Sequence, residues 1–381
     1  MVKISNPIFF RGLGVELAIK ESLMFRIIVQ SLLCLITLSG CGFGDARSDS
    51  EKLTDLLAQH AEQHNIPAQG LLVLHQDKEV FKAVYSSELF QAEHQLTKDS
   101  LFPIYSISKL FASVLILQFA EEQQIALDQP ASLYVRGLPS AWQNISINDF
   151  LNHASGIPEY FDRAPRHFAF ASNKKDVFAK LQAKPVHFSS GTKIRYTQTN
   201  YLVLAAILES VSGLSYERLV EQRILTPLGM KNTLRLKQAQ NNRDVVKAYD
   251  VSGGKLVEIE PILWPDYSVV HGGYHSNLED IGRFLSSVTT GKLIAQSQLQ
   301  HYFQPYRLRD GNIGYFASGW DYARNSRIQE LGHDGGTLSR VRVVYKNKLN
   351  DAHIIVYFTN GNSDGVWSRD LVDAVQASLS L

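Results

Sequence analysis

Four stretches of this sequence place a serine three residues before a lysine: Ser106 to Lys109, Ser172 to Lys175, Ser190 to Lys193 and Ser252 to Lys255. On a helix that separation puts the hydroxyl and the amine on one face, within hydrogen-bonding reach. A lysine so placed can take the proton of a serine nucleophile. The string alone is weak, since two common residues recur at this spacing roughly once in 200 to 250 positions. What singles out the first match is the apolar helix behind it, through Leu110, Phe111, Val114, Leu115, Leu117 and Phe119; the others lie in polar or glycine-containing stretches. A helix start also offers free N–H groups and a positive dipole end to negative charge developing on a substrate. An exposed lysine, with a pKa of ~10.4, is a poor base, and neutrality near pH 7 costs about 4 kcal/mol. Burial among Ile107, Leu110 and Phe111, with nearby positive partners, is expected to supply it.

Other reactive side chains have blander readings. His60 and His64, and again His271 and His275, stand four apart but lack an acidic or third-histidine partner at a metal-ligand spacing. The first pair reads as a solvated helix face, the second as part of a glycine-rich loop. His153 reads as turn packing in His153-Ala154-Ser155-Gly156, and Gly272, Gly273 and Ser276 as the shape of a turn before a helix at Asp280 to Leu285.

The elements that must hold Ser106 follow from apolar periodicity. Leu53, Leu56, Leu57 and Ala61 mark one face of an amphipathic helix from Leu53 to His64. Gly70 to Leu74 and Val80 to Tyr85 read as a hairpin. From Ser106 to about Gln124, and from Tyr201 to Val211, apolar residues surround the helix, which marks it as buried. Ile328 to Leu331, Val341 to Tyr345 and Ile354 to Thr359 read as strands, and a closing helix runs from about Ser368 to Leu379. Strands at both ends with helices between predict an α/β (α+β) fold: one antiparallel sheet built from both termini, flanked by helices, with a mostly helical subdomain inserted. Catalytic groups belong at the junction.

The N-terminus speaks to location. Arg26, an apolar run from Ile27 to Leu38 and then Leu38-Ser39-Gly40-Cys41 look like a bacterial export signal. The run is short for a membrane-spanning helix. The small residues before the cysteine resemble a lipobox, which implies cleavage before Cys41 and a lipid on its sulfur, with Met24 as an alternative start of translation. The expected organisation is a signal segment over 1–41, a polar tether over 42–50 and one domain over 51–381. It places the domain on the periplasmic side of the cell envelope, lipid-anchored, with the outer membrane favoured by Gly42. Cys34 and Cys41 are then spoken for, leaving no thiol for a disulfide, metal or nucleophile. Lysine plus arginine (38) nearly balance aspartate plus glutamate (37), which argues against a nucleic-acid partner and for a small-molecule or peptide substrate. No cofactor is called for.

The run Ser100-Leu101-Phe102-Pro103-Ile104-Tyr105-Ser106-Ile107-Ser108-Lys109-Leu110-Phe111 resembles the active-site segment of class C β-lactamases and their relatives, esterases and D-peptidases of the β-lactamase and penicillin-binding-protein superfamily. The resemblance continues through Leu151 to Pro158, Tyr196 to Tyr201, Pro227 to Met230, Gly272 to Ser276 and Gly332 to Gly336, and covers roughly residue 55 to the end. It implies Ser106 as the nucleophile of an acyl-enzyme, with Lys109 and the Tyr196 phenol moving its proton to the leaving group. It implies an oxyanion hole made by the N–H groups of Ser106 and Gly336. Gln198, His333 and Gly335 fall at substrate-binding positions, the glycines letting substrate pass close to the strand. Two positions depart from the pattern. Gln198 stands where an asparagine is usual, on a longer stem, and His333 begins a motif that usually starts with lysine. A histidine of pKa ~6.5 is about a quarter protonated at pH 7, a poor partner for the carboxylate of a β-lactam or C-terminal D-peptide. Ester or amide hydrolysis, including cell-wall peptides, is therefore expected ahead of efficient β-lactamase activity. A non-catalytic, penicillin-binding-protein-like binder is the reading from another class.

Overall fold

A computed structural model describes residues 47–92, 94–161, 170–240, 242–259, 264–336, 338–361 and 367–381. Cys41 and the expected signal segment lie outside the described residues, among which no helix is long and apolar enough to cross a membrane.

Helix α1, Asp49–His64, starts earlier than its apolar stripe because Ser48 and Glu51 close a reciprocal capping box. Strands β1, Ala68–His75, and β2, Lys78–Ser86, form the expected hairpin. Gln76 and Asp77 turn it with φ of 49° and 63°, the two left-handed residues that a tight hairpin turn requires. The rest of the sheet comes from the far end of the chain: β3 Phe316–Ala317, β4 Trp320–Arg324, β5 Gln329–Gly335, β6 Ser339–Tyr345 and β7 His353–Thr359. Among the described residues the order is β2-β1-β7-β6-β5-β4-β3, and all neighbours run antiparallel. The two termini meet within it, where β1 pairs with β7 from Gln69↔Thr359 to His75↔His353.

Alternation along these strands divides the core. Leu71, Val73, Ile355 and Tyr357 pack with Leu53 and Leu57 of α1 and with Leu371, Val372 and Val375 of the closing helix Trp367–Ser378. Leu72, Ile354, Val356 and Phe358 point the other way into the larger core, as the period of two demands. That core holds helices α2, Lys109–Glu121, α3, Thr199–Ser212, and α4, Leu278–Thr289. Helix α2 is buried on nearly every side, from Lys109 through Leu117 and at Phe119, as its all-round apolar sequence predicts. A small sheet of Phe102–Pro103, Tyr274–Ser276 and Leu234–Arg235 ties the segment before α2 to the chain just after Gly273.

Candidate active site

Ser106 does not open the α-helix itself. It lies in a short 3₁₀ turn, Tyr105–Ser108, from which α2 continues at Lys109. The residue before it, Tyr105, has φ of 45°, a left-handed conformation that costs a side-chain-bearing residue roughly 1–2 kcal/mol. The turn is held by Ile104, which donates from its N–H to Tyr274 O (3.1 Å) and accepts from Ile107 N–H (3.0 Å). Strand β5 comes up beside it. A Cβ on Gly335 would stand 2.5 Å from the Ile104 carbonyl oxygen, so only glycine lets β5 lie this close to the Ser106 segment. Gly336 follows, exposed, with φ of 59° and beside the Tyr105 ring.

Lys109 is fully buried, and its Nζ lies 3.0 Å from Ser106 Oγ and 2.8 Å from the His271 carbonyl oxygen, to which it donates. The same Nζ sits 5.0 Å and 5.5 Å from the ring centroids of Tyr196 and Tyr201. Among the described residues no carboxylate pairs with it. Burial therefore holds its pKa well below the ordinary lysine value. The expected help from positive neighbours is absent: the charges that bear on Lys109 are those of Glu159 and Asp321, which act in the opposite direction. A neutral amine has two N–H groups and one lone pair. With one N–H on the His271 carbonyl, the lone pair is free to accept the serine proton.

Tyr196 stands over this pair. Burial raises its pKa, and Ser106 is close enough to act the other way, although no hydrogen bond of good geometry reaches the buried Tyr196 Oη. Its loop is pinned to the turn over 153–156: Arg195 N–H donates to His153 O (2.9 Å), Gly191 N–H to Ala154 O (2.8 Å) and His187 N–H to Gly156 O (2.7 Å). Gly156 has φ of 75°, and a Cβ there would lie 2.2 Å from Phe188 O, so this turn and the Tyr196 loop are built against each other. Gln198 caps α3, donating its N–H to Glu159 Oε2 at 3.0 Å, while its own Oε1 is buried without a partner. No hydrogen bond joins its amide to Lys109 among the described residues.

His333, on β5, is 3% exposed, and its ring lies 6.0 Å from that of Tyr196. Its Nδ1 is 2.9 Å from the Asp334 carbonyl oxygen. A carbonyl only accepts, so Nδ1 carries the proton and Nε2, buried without a partner, presents a bare lone pair. Burial lowers its pKa, while Asp321 and Asp334 oppose it. The imidazole is thus neutral near pH 7. Asp334 faces away, accepting from Arg340 (2.6 Å) and Arg342 (2.7 Å).

Ser106, Lys109, Tyr196, Gln198, His333, Gly335 and Gly336 thus converge from three segments. Sequence reasoning missed the His271 carbonyl, because a backbone acceptor has no letter of its own, and Glu159, because it accepts from Gln198 and Thr199 at the start of a helix far along the chain and no local pattern announces that. Gly272 and Gly273 lie where a short helix, Val269–Gly272, hands over to Tyr274–Ser276. His153 is not merely a turn residue, since it stacks on Tyr196 with centroids 4.3 Å apart. His60 is not solvated either: it is 7% exposed beside Gln69 and Tyr357.

A serine and a buried lysine at the start of a core helix, flanked by a tyrosine loop and by the edge of an antiparallel sheet, define a class of protein, and the family model confirms it. The chain matches the beta-lactamase family over residues 53–377, and belongs to that family. It is similar to Penicillin-binding protein 4* of Bacillus subtilis (strain 168), 25% identical over 303 residues, 74% of this chain and 65% of the relative. The chain therefore spans just under two thirds of that protein's length. It is 24% identical to Teichoic acid D-alanine hydrolase of Staphylococcus aureus (strain NCTC 8325 / PS 47) over 286 residues, 74% of this chain and 67% of the relative. Among solved structures, EstCE1, a hydrolase with promiscuous acyltransferase activity, shares the fold with a TM-score of 0.72 at 15% identity, over 86% of this chain and 98% of that one.

Proposed function

We propose that this protein is a serine hydrolase that cleaves an ester or amide through an acyl-enzyme on Ser106. The observation that carries the reading is Lys109: wholly buried, without an ion pair among the described residues, and 3.0 Å from Ser106 Oγ. In this mechanism the Lys109 lone pair takes the Ser106 proton as Oγ attacks the substrate carbonyl carbon. The carbonyl oxygen becomes an oxyanion between the N–H groups of Ser106 and Gly336; losing one such donor typically costs ~10²–10³ in rate. As the tetrahedral intermediate collapses, the proton passes by way of the Tyr196 phenol to the departing alcohol or amine. Water then attacks the acyl-serine, and the same groups return the proton to Oγ.

His333 narrows the substrate. A neutral imidazole whose free nitrogen is an acceptor adds no charge-assisted bond to a substrate carboxylate, a bond worth ~1.5–3 kcal/mol. A carboxylesterase or D-peptidase-like activity is thus favoured over β-lactamase activity, and a substrate group that donates a hydrogen bond suits Nε2 better than an anionic one. Gln198 and Gly335 line the same approach. Attachment to the cell envelope through a lipid on Cys41 belongs to this reading on sequence grounds alone. Labelled palmitate that enters the wild type but not Cys41→Ser tests it.

The decisive assay compares turnover of a short p-nitrophenyl ester with that of a chromogenic cephalosporin, for the wild type and Ser106→Ala. Ester turnover that disappears with Ser106→Ala, and exceeds cephalosporin turnover, is the expected outcome. Efficient cephalosporin hydrolysis would overturn the substrate reading. Absence of any Ser106-dependent turnover of esters or D-amino-acid peptides would leave a non-catalytic binder.

A further inference from the structure

His153 takes no part in the chemistry just described, yet it is placed with more constraint than any turn requires. It has φ of 57°, an uncommon conformation for a residue with a side chain, and it is wholly buried. Its Nδ1 accepts from Asn200 Nδ2 at 2.9 Å and from the Thr197 N–H at 3.3 Å. Asn200 is fixed in turn by the Ser155 hydroxyl, 2.5 Å from its Oδ1. A backbone N–H can only donate, so Nδ1 is an acceptor and the proton of the neutral ring resides on Nε2. The ring lies against Tyr196 at 4.3 Å with a 34° tilt, and against Tyr201 and Phe316 at 5.3 Å and 5.0 Å. One imidazole therefore holds Tyr196 twice: by ring contact from one side, and through the backbone of the next residue, Thr197.

We propose that His153 is a positioning residue that acts through Tyr196. Its neutral ring packs against the phenol, and its Nδ1 clamps the Tyr196-Thr197 peptide and Asn200, so that the phenol stays aimed at Ser106 and Lys109. Protonation would break the device, since a proton on Nδ1 would face the Thr197 N–H. Burial keeps the ring neutral. The assignment rests on the hydrolase reading above and makes Tyr196 orientation depend on a residue that touches no substrate.

Two substitutions separate its halves. His153→Asn keeps an acceptor near the place of Nδ1 and loses the ring; His153→Phe keeps the ring and loses the acceptor. In the full chain, each is expected to lower kcat of ester hydrolysis by ~10- to 100-fold, the scale of a small misplacement of a catalytic group, with KM within about threefold of wild type. The telling readout is a double-mutant cycle with Tyr196→Phe. If His153 works through Tyr196, His153→Asn costs less than about twofold more once the phenol is gone. Equal losses in both backgrounds, or wild-type kcat in a folded His153→Asn variant, would overturn the proposal. Nitrogen-15 NMR of histidine-labelled wild type tests the clamp without any variant and without any turnover. A His153 signal that stays in the neutral Nε2–H form from pH 8 to pH 5 supports it. An Nδ1–H form, or titration within that range, would refute it even if the enzyme reading failed separately.

Discussion

Two of the buried polar clusters, one on each side of the large sheet's core, are treated differently. Beneath α1, Gln69 is wholly buried but paired at both ends of its amide: its Nε2 donates to Leu57 O (2.5 Å) and its Oε1 accepts from Tyr357 Oη (2.6 Å), with His60 Nδ1 at 3.5 Å. Around Ser106, by contrast, Tyr196 Oη, Thr197 Oγ1, Gln198 Oε1, His153 Nε2 and His333 Nε2 are all buried with no partner. A buried polar atom left unpaired costs about 1–3 kcal/mol, so a fold under pressure for stability alone would pair or remove such atoms. The first cluster has been finished as structure. The second has been left open, which is what a site must do if its bonds are to be completed by a substrate.

The contrast breaks most sharply at Ser106, the proposed nucleophile. Ser106→Ala is expected to reduce kcat by up to ~10⁶, the loss known for a serine whose partners act as a unit. Lys109→Arg is expected to cost ~10³ or more, because a guanidinium cannot become neutral to accept a proton. A Lys109→Arg variant within tenfold of wild type would show that the buried lysine is not the base. The next largest effect falls on geometry. Gly335→Ala drives a methyl to 2.5 Å from Ile104 O, so β5 must retreat from the turn of Ser106, and a fall of roughly 100-fold in kcat is expected. Kinetics together with a melting curve check this: activity is expected to fall much further than stability.

How much of this contrast could be read from letters alone differs between the two clusters. The Ser106 and Lys109 pair was legible because a buried helix follows it, and the sheet from both termini was legible because β1 and β7 are apolar on both faces. The His271 carbonyl and the left-handed φ of Tyr105 and His153 were not. A carbonyl belongs to every residue, and neither tyrosine nor histidine announces a positive φ as glycine does. Burial of Lys109 was foreseen, but its charged neighbours were given the wrong sign: acidic residues far along the chain, Glu159 and Asp321, stand there instead. His60 illustrates the reverse error. A polar residue on an amphipathic helix reads as solvated, and only the sheet beyond the helix reveals Gln69 and Tyr357 waiting for it.

Acid sensitivity sharpens the comparison next. His153 and His271 are held neutral well below the ordinary histidine range by burial; His333 is also lowered, and burial takes His275 to about 4. In the unfolded chain each takes up its proton near pH ~6.5. Below that pH the unfolded state binds more protons than the native one, so stability falls as pH falls. Each such group contributes up to about 1.4 kcal/mol per pH unit until its folded value is reached. Denaturant unfolding is expected to be insensitive to these four histidines above about pH 7.5 and to lose stability steeply between pH 6.5 and pH 4. For His275 the loss stops growing near pH 4. A flat profile through that window would mean that these rings are protonated in the native state, and the acceptor roles assigned to His153 Nδ1 and His333 Nε2 would fall with it.

The smallest expected effect is the most direct test of why the two clusters differ. Gln69→Leu takes the nearer partner from the Tyr357 hydroxyl, leaving it only His60 Nδ1 at 3.4 Å, and takes the side-chain donor from Leu57 O; it is expected to cost about 1–3 kcal/mol of stability, while ester turnover stays within twofold of wild type. Gln198→Leu removes a carbonyl oxygen that has no partner to lose, so stability should hold within about 0.5 kcal/mol or rise, and the change should appear as a severalfold shift in KM or kcat. Two glutamines replaced by the same residue would thus give opposite signatures in one pair of denaturation curves and one pair of rate curves. If Gln198→Leu instead unfolds the protein and leaves the residual activity per folded molecule intact, the Gln198 amide serves the fold. The open cluster would then be smaller than its unpaired atoms suggest, confined to Ser106, Lys109, Tyr196 and the two histidines that face the phenol.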